Sequence, residues 1–328
     1  MALRLPATLI FFHIGKTAGR TLGTIISRQF PEDAQLNASI GETRSALGLH
    51  RRDAIEAQVR ALPAERLARL RFVRGHIPFG IHDLFAAPAQ YITLVRDPME
   101  RVVSSFYYLR QQPQVLIHRR LETMTLDDYL ESRLGLDPYD YQVRVLSGCP
   151  ELDADWTEPR PLDLVEVTRH HLDRAKVNIV EHFLLAAPTE RFEAALILLR
   201  HLFGWSLPDL FFIPENVTEG RPHRSALSAW TTARIRAHNR FDREMHRWVD
   251  RRFRQLTRSL GLPFRLEVAL FSRLNHRFRA SGMTEALRRQ TSRTTALLDR
   301  LGCTVLNQGP RPPAGLQQRD RGSPTLSA

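Results

Sequence analysis

Residues 7–30 read ATLIFFHIGKTAGRTLGTIISRQF, and this stretch decides the fold. Ala7–Ile14 is a continuous apolar run with little polarity. A strand with one wet face alternates polar and apolar residues; one buried on both faces does not. The run therefore predicts a strand inside a parallel sheet. Gly15–Gly19 breaks it, and Arg20–Phe30 follows with Leu22, Ile25 and Ile26 on one helical face. A helix that starts just after a strand offers unpaired amides and the positive end of its dipole, which suit a phosphate. Gly15 and Gly19 let the backbone come close, Lys16 supplies a mobile cation, and Thr17 and Thr21 supply hydroxyls.

The loop invites comparison with the G-x-x-x-x-G-K-[ST] loop of kinases and NTPases. Gly15-Lys16-Thr17 matches the end of that pattern, but its first glycine would fall at Ile10, inside the strand. No acidic residue closes a later strand in a position to hold Mg²⁺. A second anchor lies at Tyr91–Tyr108. Tyr91–Val95 reads as another buried strand, and Asp97-Pro98 starts a helix with Glu100 in the capping-box position. Arg96 stands at the strand end and Ser104 two turns along the helix, where they can grip a second phosphate. In an open parallel sheet ligands bind at the carboxyl ends of the strands, where both anchors lie. Two grips without a Walker pattern indicate a nucleotide phosphorylated at two separate positions.

Outward from these anchors, helices are expected at Asp53–Leu70 (interrupted at Pro63), Leu126–Glu131, Tyr139–Leu146, Leu164–Ala175 and Thr189–Phe203. Short strands are expected at Arg71–Val73 and Phe183–Ala187, and loops at Trp156–Pro161 and Leu207–Arg224. One or two helices should fill Ser228–Leu260, followed by basic helices at Phe264–Arg279 and Thr284–Leu301. From Gln308 the tail is rich in Pro, Gly, Ser and Arg and should be disordered. Buried strands alternating with helices predict a three-layer α/β, P-loop-like fold with a central, mainly parallel sheet and a helical C-terminal part. The expected division is a catalytic domain over 1–260, a basic helical extension over 261–307 and a tail over 308–328.

Composition bounds the function. The chain has 328 residues, 43 % hydrophobic and 25 % charged, which are globular values and exclude disorder as the main state. A net charge of +12 favours anionic partners. Lys16 and Lys176 are the only lysines, so a basic residue here is Arg by default and Lys16 stands out. Two cysteines, Cys149 and Cys303, build neither a disulfide framework nor a metal-spaced cluster. No signal peptide and no spanning apolar run is read from the sequence, so a cytoplasmic location with room for peripheral membrane contact is expected.

These residues resemble a family. The chain is similar to the Golgi-type and bacterial sulfotransferases that use 3′-phosphoadenosine 5′-phosphosulfate, especially the branch of the heparan and uronyl 2-O-sulfotransferases. His13–Leu22 looks like their 5′-phosphosulfate loop, Tyr91–Tyr108 like their 3′-phosphate segment, and Arg74-Gly75-His76 like the block that carries the catalytic base. Asp140–Gly148, Thr189–Phe192 and Asn216-Val217-Thr218 with Arg221 and Arg224 are similar to further blocks. The resemblance implies that Lys16 stabilises charge on the departing phosphate. It implies that Gly15, Thr17, Ala18, Gly19, Arg20, Thr21 and Leu22 hold the 5′-phosphate, and that Arg96 and Ser104 hold the 3′-phosphate. His76 would be the general base, with His82 a weaker candidate. Eukaryotic members have His-Gly-His where this chain has Arg74-Gly75-His76, which leaves one candidate base and frees Arg74 for an anionic acceptor. Gln142 and Arg144 either line the acceptor cleft or form a solvated helix face, and Arg224 would lie near the nucleotide. The implied co-substrate is 3′-phosphoadenosine 5′-phosphosulfate without a metal. The implied partner is a hydroxyl-bearing saccharide, glycolipid or small molecule, with no specific nucleic acid. Two other readings stay open: a nucleotide kinase or NTPase with a degenerate P-loop, and a non-catalytic binder of acidic polymers.

Overall fold

A computed structural model describes residues 7–38, 52–85, 87–115, 117–152, 161–215, 218 and 220–300. The readings at residues 156–160, at Asn216-Val217 and beyond residue 300 lie outside the described residues. Among the described residues five strands form one parallel sheet: β1 (Thr8–Phe12), β2 (Gln35–Asn37), β3 (Phe72–Gly75), β4 (Ala89–Val95) and β5 (Phe183–Pro188). Their order is β2-β3-β1-β4-β5. The helices are α1 (Gly19–Ser27), α2 (Arg52–Arg60), α3 (Ala64–Arg69), α4 (Pro98–Arg110), α5 (His118–Leu121), α6 (Leu126–Ser132), α7 (Tyr141–Ser147), α8 (Arg169–His182), α9 (Phe192–Phe203), α10 (Ala229–His238), α11 (Arg240–Ser259), α12 (Gly261–Ser281) and α13 (Glu285–Arg300).

The unbroken apolar run of β1 is explained by its central place: all five residues are buried. Ile10 pairs with Val73 of β3 on one side and Tyr91 of β4 on the other. Ile10 and Phe12 join a core with Val102 and Phe106 of α4 and Val143 of α7. Leu9 and Phe11 join a second core with Leu22 and Ile25 of α1, Leu196 of α9 and Phe271 of α12. Each such side chain stabilises the fold by about 1.5–3 kcal/mol through burial. Helices thus cover both faces, giving the expected three layers. From β1 the chain runs to β2 and β3 on one side, and β4 and β5 lie on the other. The switch point, where a ligand crevice belongs, falls between the carboxyl ends of β1 and β4.

Three local readings are corrected. Strand β2 was not expected; its three residues bury Leu36 alone and carry no periodic signal. Helix α8 starts at Arg169 rather than Leu164, because the Thr168 amide donates to His171 Nδ1 at 3.0 Å and fixes the start there. The capping box at α4 is not closed by Glu100. Asp97 accepts from the Met99 amide at 2.8 Å, but its own amide donates to Glu190 Oε1 at 2.9 Å. Glu100 is drawn instead to Arg221 at 2.8 Å and Arg96 at 3.8 Å. The Ser228–Leu260 segment resolves into two helices that break at Asn239, whose Nδ2 donates to the Pro138 and Ile235 carbonyls. Among the described residues no helix is long and apolar enough to cross a membrane.

Candidate active site

The loop from β1 to α1 is built on two left-handed residues, Lys16 (φ 64°) and Ala18 (φ 62°). No side chain caps α1, so its first-turn amides and dipole face the crevice without an internal acceptor side chain. Thr17 is buried and its hydroxyl donates to the Ile14 carbonyl at 2.8 Å. Its carbonyl accepts from Thr189 at 3.1 Å, which ties the loop to the end of β5. Thr21 accepts the Glu215 amide at 3.0 Å, and exposed Arg20 lies 3.8 Å from the Glu215 carboxylate. The Leu22 amide closes the first turn on the Ala18 carbonyl, and its side chain is core. The glycines differ in role. A Cβ on Gly19 would stand 1.9 Å from His13 Cδ2, so Gly19 is needed for the His13 ring; a Cβ on Gly15 would meet nothing within 4 Å, which leaves room over the loop.

Arg96 joins the two anchors. Its Nη1 donates to the Lys16 carbonyl at 2.9 Å. Its backbone is clamped by Gln142, which accepts the Arg96 amide at 2.8 Å and donates to the Arg96 carbonyl at 2.9 Å. Lys16 Nζ lies 3.7 Å above the Tyr108 ring of α4. Burial, with Arg96, Arg221 and Arg20 nearby, lowers the Lys16 pKa to about 8, although Asp137 opposes the shift. An ammonium so placed gains when an anion arrives. Ser104 is buried one face along α4, with its hydroxyl 3.4 Å from that of Thr218. The donor set of Lys16, Arg96, Arg221 and an uncapped helix start fits a nucleotide carrying two separated phosphates. Beside it a cleft of about 470 Å³ is lined by Ala18, Thr21, Thr189, Glu190, Phe192 and Phe212.

His76 follows β3 on the other side of β1. Its Nδ1 lies 2.8 Å from the His13 carbonyl. A carbonyl only accepts, so Nδ1 carries the proton and Nε2 of the neutral ring presents a lone pair. The His13 and His76 rings stack with centroids 4.1 Å apart. Burial, then His76, Arg74, Arg20 and Lys16, push the His13 pKa well below the ordinary histidine value, so His13 stays neutral beside them. The structure thus brings Lys16, Arg96, Ser104 and His76 to one end of the sheet.

Other expected residues have different surroundings. Arg74 runs beneath α1, where its Nη1 would lie 3.3 Å from a Cβ on Gly23. Gln142 and Arg144 are neither cleft wall nor solvated face. Gln142 is fully buried and clamps Arg96. Arg144 donates to the Tyr139, Leu152 and Val165 carbonyls and braces α7. Arg224 stands 3.6 Å from Asp97. His82 donates to or accepts from Tyr91 at 3.0 Å, away from the β1 loop. His13, Tyr108 and Glu190 were missed as site residues. Tyr108 shows a signal only in hindsight, three turns into the helix that Asp97 starts. Cys149, Glu151 and His171 also converge, with one ligand atom each within 4.8 Å. There the Thr168 amide donates to His171 Nδ1, so the ring proton sits on Nε2 and faces Glu151 at 3.2 Å. That pairing caps α8 and leaves the His171 ring no lone pair for a cation.

Comparison with known proteins identifies relatives of this chain. The family model for galactose-3-O-sulfotransferase matches residues 4–297. The uronyl 2-sulfotransferase of Mus musculus is 24 % identical over 294 residues, covering 80 % of this chain and 66 % of that one. The heparan sulfate 2-O-sulfotransferase 1 of Xenopus laevis is 28 % identical over 136 residues, 39 % of this chain and 36 % of its own. The galactosylceramide sulfotransferase of Homo sapiens is 25 % identical over 202 residues, 61 % of this chain and 46 % of its own. The chain spans between about a third and two thirds of the length of these relatives. With a family match that runs over nearly the whole chain, the protein belongs to the galactose-3-O-sulfotransferase family.

Proposed function

We propose that this protein transfers a sulfuryl group to an acceptor hydroxyl of a saccharide or glycolipid. The observation that carries the reading is the meeting, at the carboxyl ends of β3, β1 and β4, of His76 with its Nδ1 on the His13 carbonyl, Lys16 ahead of an uncapped helix start, and Arg96 bonded to the Lys16 carbonyl. The names of the relatives support a saccharide or glycolipid acceptor. The donor, 3′-phosphoadenosine 5′-phosphosulfate, supplies the activated sulfuryl group. The start of α1, from Gly15 to Thr21, would hold its 5′ end. Arg96 and Ser104, with Arg221 beside them, would hold the 3′-phosphate, and the cleft past Thr189 would take the nucleoside.

The chain's own residues then divide the work. Lys16 places a positive charge where the leaving phosphate gains negative charge, which is stabilisation by preorganised electrostatics. His76 Nε2 takes the acceptor proton while the His13 carbonyl holds Nδ1–H and fixes the ring. Positioning supplies much of the rest, since a loose in-line transfer needs little covalent help from protein. The test is sulfate transfer to a galactose-terminated acceptor by the wild type and two variants. His76→Ala should lower kcat by about 10²–10⁴-fold. Lys16→Ala should cost about 10²–10³-fold. Transfer that survived both changes at the wild-type rate would sink the mechanism.

A further inference from the structure

A second cavity, of about 220 Å³, lies between the start of α4 and helices α10 and α11. Arg224, Arg236, Arg243 and Arg247 line it, together with Asp97 and His246. The four guanidinium groups come from three segments. Arg243 and Arg247 stand one turn apart on α11, Arg236 comes from α10, and Arg224 opens a short 3₁₀ turn ahead of both. They face one carboxylate. Arg224 lies 3.6 Å from Asp97, whereas among the described residues Arg236, Arg243 and Arg247 have no ion pair within 4 Å. The next acid, Glu190, is engaged by His246 at 3.0 Å and by the Asp97 amide. Burial, then the charges of Arg247, Arg236 and Arg224, lower the Arg243 pKa against the pull of Asp97, so these groups feel one another across the cavity.

A solvated basic helix face spreads its charges outward. Here Arg224, Arg236 and Arg247 are exposed, yet with half-buried Arg243 they line one concave space whose one lining carboxylate, Asp97, balances only part of their charge. Several convergent guanidinium forks suit a tetrahedral oxoanion. None of Lys16, Arg96, Ser104 and Arg221 lines this cavity. Arg96 and Arg221 turn to Lys16 and Glu100, and Arg224 turns to Asp97.

We propose that the cavity bounded by Arg224, Arg236, Arg243 and Arg247 is an oxoanion subsite that takes a sulfate group, either free or as a sulfate ester on a saccharide, separately from the nucleotide. The saccharide source rests on the sulfotransferase reading; the free-sulfate source does not.

The full chain saturated with 3′,5′-ADP is titrated calorimetrically at constant ionic strength with sodium sulfate, a sulfated tetrasaccharide and its unsulfated counterpart. Sulfate or the sulfated tetrasaccharide should bind with the nucleotide present, and the unsulfated one should not. Tighter binding of the tetrasaccharide than of free sulfate identifies the ester; binding of sulfate alone identifies the free anion. Arg243→Gln with Arg247→Gln should weaken binding roughly tenfold or more and leave 3′,5′-ADP affinity unchanged. Arg236→Gln, on α10, repeats the test without touching α11. The proposal is overturned if neither sulfated ligand binds, if the variants bind as the wild type does, or if saturating nucleotide abolishes binding. Failure of 3′,5′-ADP itself to bind removes the sulfotransferase reading instead, and the sulfate titration still judges the cavity.

Discussion

Lys16 combines two costs. Its backbone is left-handed at φ 64°, where a non-glycine residue loses about 1–2 kcal/mol. Its ammonium sits among Arg96, Arg221 and Arg20, with a pKa lowered to about 8. The charged form is the one that meets an anion, so the alkaline limb of kcat/KM for the sulfate donor should begin at about pH 8 and fall about tenfold per pH unit above it. Arg221→Gln removes one nearby cation and should move that falling limb to higher pH in the same pH–rate measurement. A limb unmoved by Arg221→Gln would mean that another group titrates. Lys16, Arg96 and His76 were legible in the sequence because each stands where an apolar strand ends. The inward partners of Gln142 and Arg144 were not, since the atoms they bond lie on loops and helices whose approach no local pattern encodes.

The helices that carry the site are held by caps donated from far along the chain. Asp242, on α11, accepts the Gln142 and Val143 amides at the start of α7. Asp140, just ahead of α7, accepts the Phe241 and Asp242 amides at the start of α11. Each acid caps the other's helix, and α7 in turn clamps Arg96 through Gln142. Burial, and the neighbouring Asp242 charge, raise the Asp140 pKa to about 8. A folded-state pKa raised above the unfolded value of about 4 makes the acid form the stabilising one. Its contribution is complete below pH 4 and is lost as pH rises through 8. Asp140→Asn keeps the accepting Oδ1 and cannot ionise. In urea unfolding it should therefore lose less stability than the wild type between pH 5 and pH 9, by on the order of 1 kcal/mol or more. Equal pH slopes in the two proteins would refute this. Such reciprocal caps, like the Glu190 that completes the α4 start, join residues about a hundred positions apart and left no trace in the sequence reading. The strands that matter most were legible, because β1 and β4 are apolar on both faces.

Two cores on the two faces of one sheet make the whole molecule, and α12 belongs to one of them. Phe264, Phe271 and Leu274 pack with α1 and α9, and Glu267, fully buried, accepts from Arg200 at 2.7 Å and pairs with His201. Glu267→Ala would leave the buried Arg200 guanidinium without its partner and should destabilise the protein by about 3–5 kcal/mol, read as a lower urea midpoint. A change under about 1 kcal/mol would show that α12 is dispensable to the core. The Arg-rich composition favours anionic partners without placing them, and only the fold shows that Arg224 joins Arg236 of α10 and Arg243 and Arg247 of α11 around one cavity. The doubly phosphorylated nucleotide remains the centre of the account, and calorimetric binding of 3′,5′-ADP and of ATP without divalent metal tests it most directly. Binding of 3′,5′-ADP with clear preference over ATP, lost on Arg96→Ala, is the expected result. Preference for ATP, or binding of neither nucleotide, would contradict it.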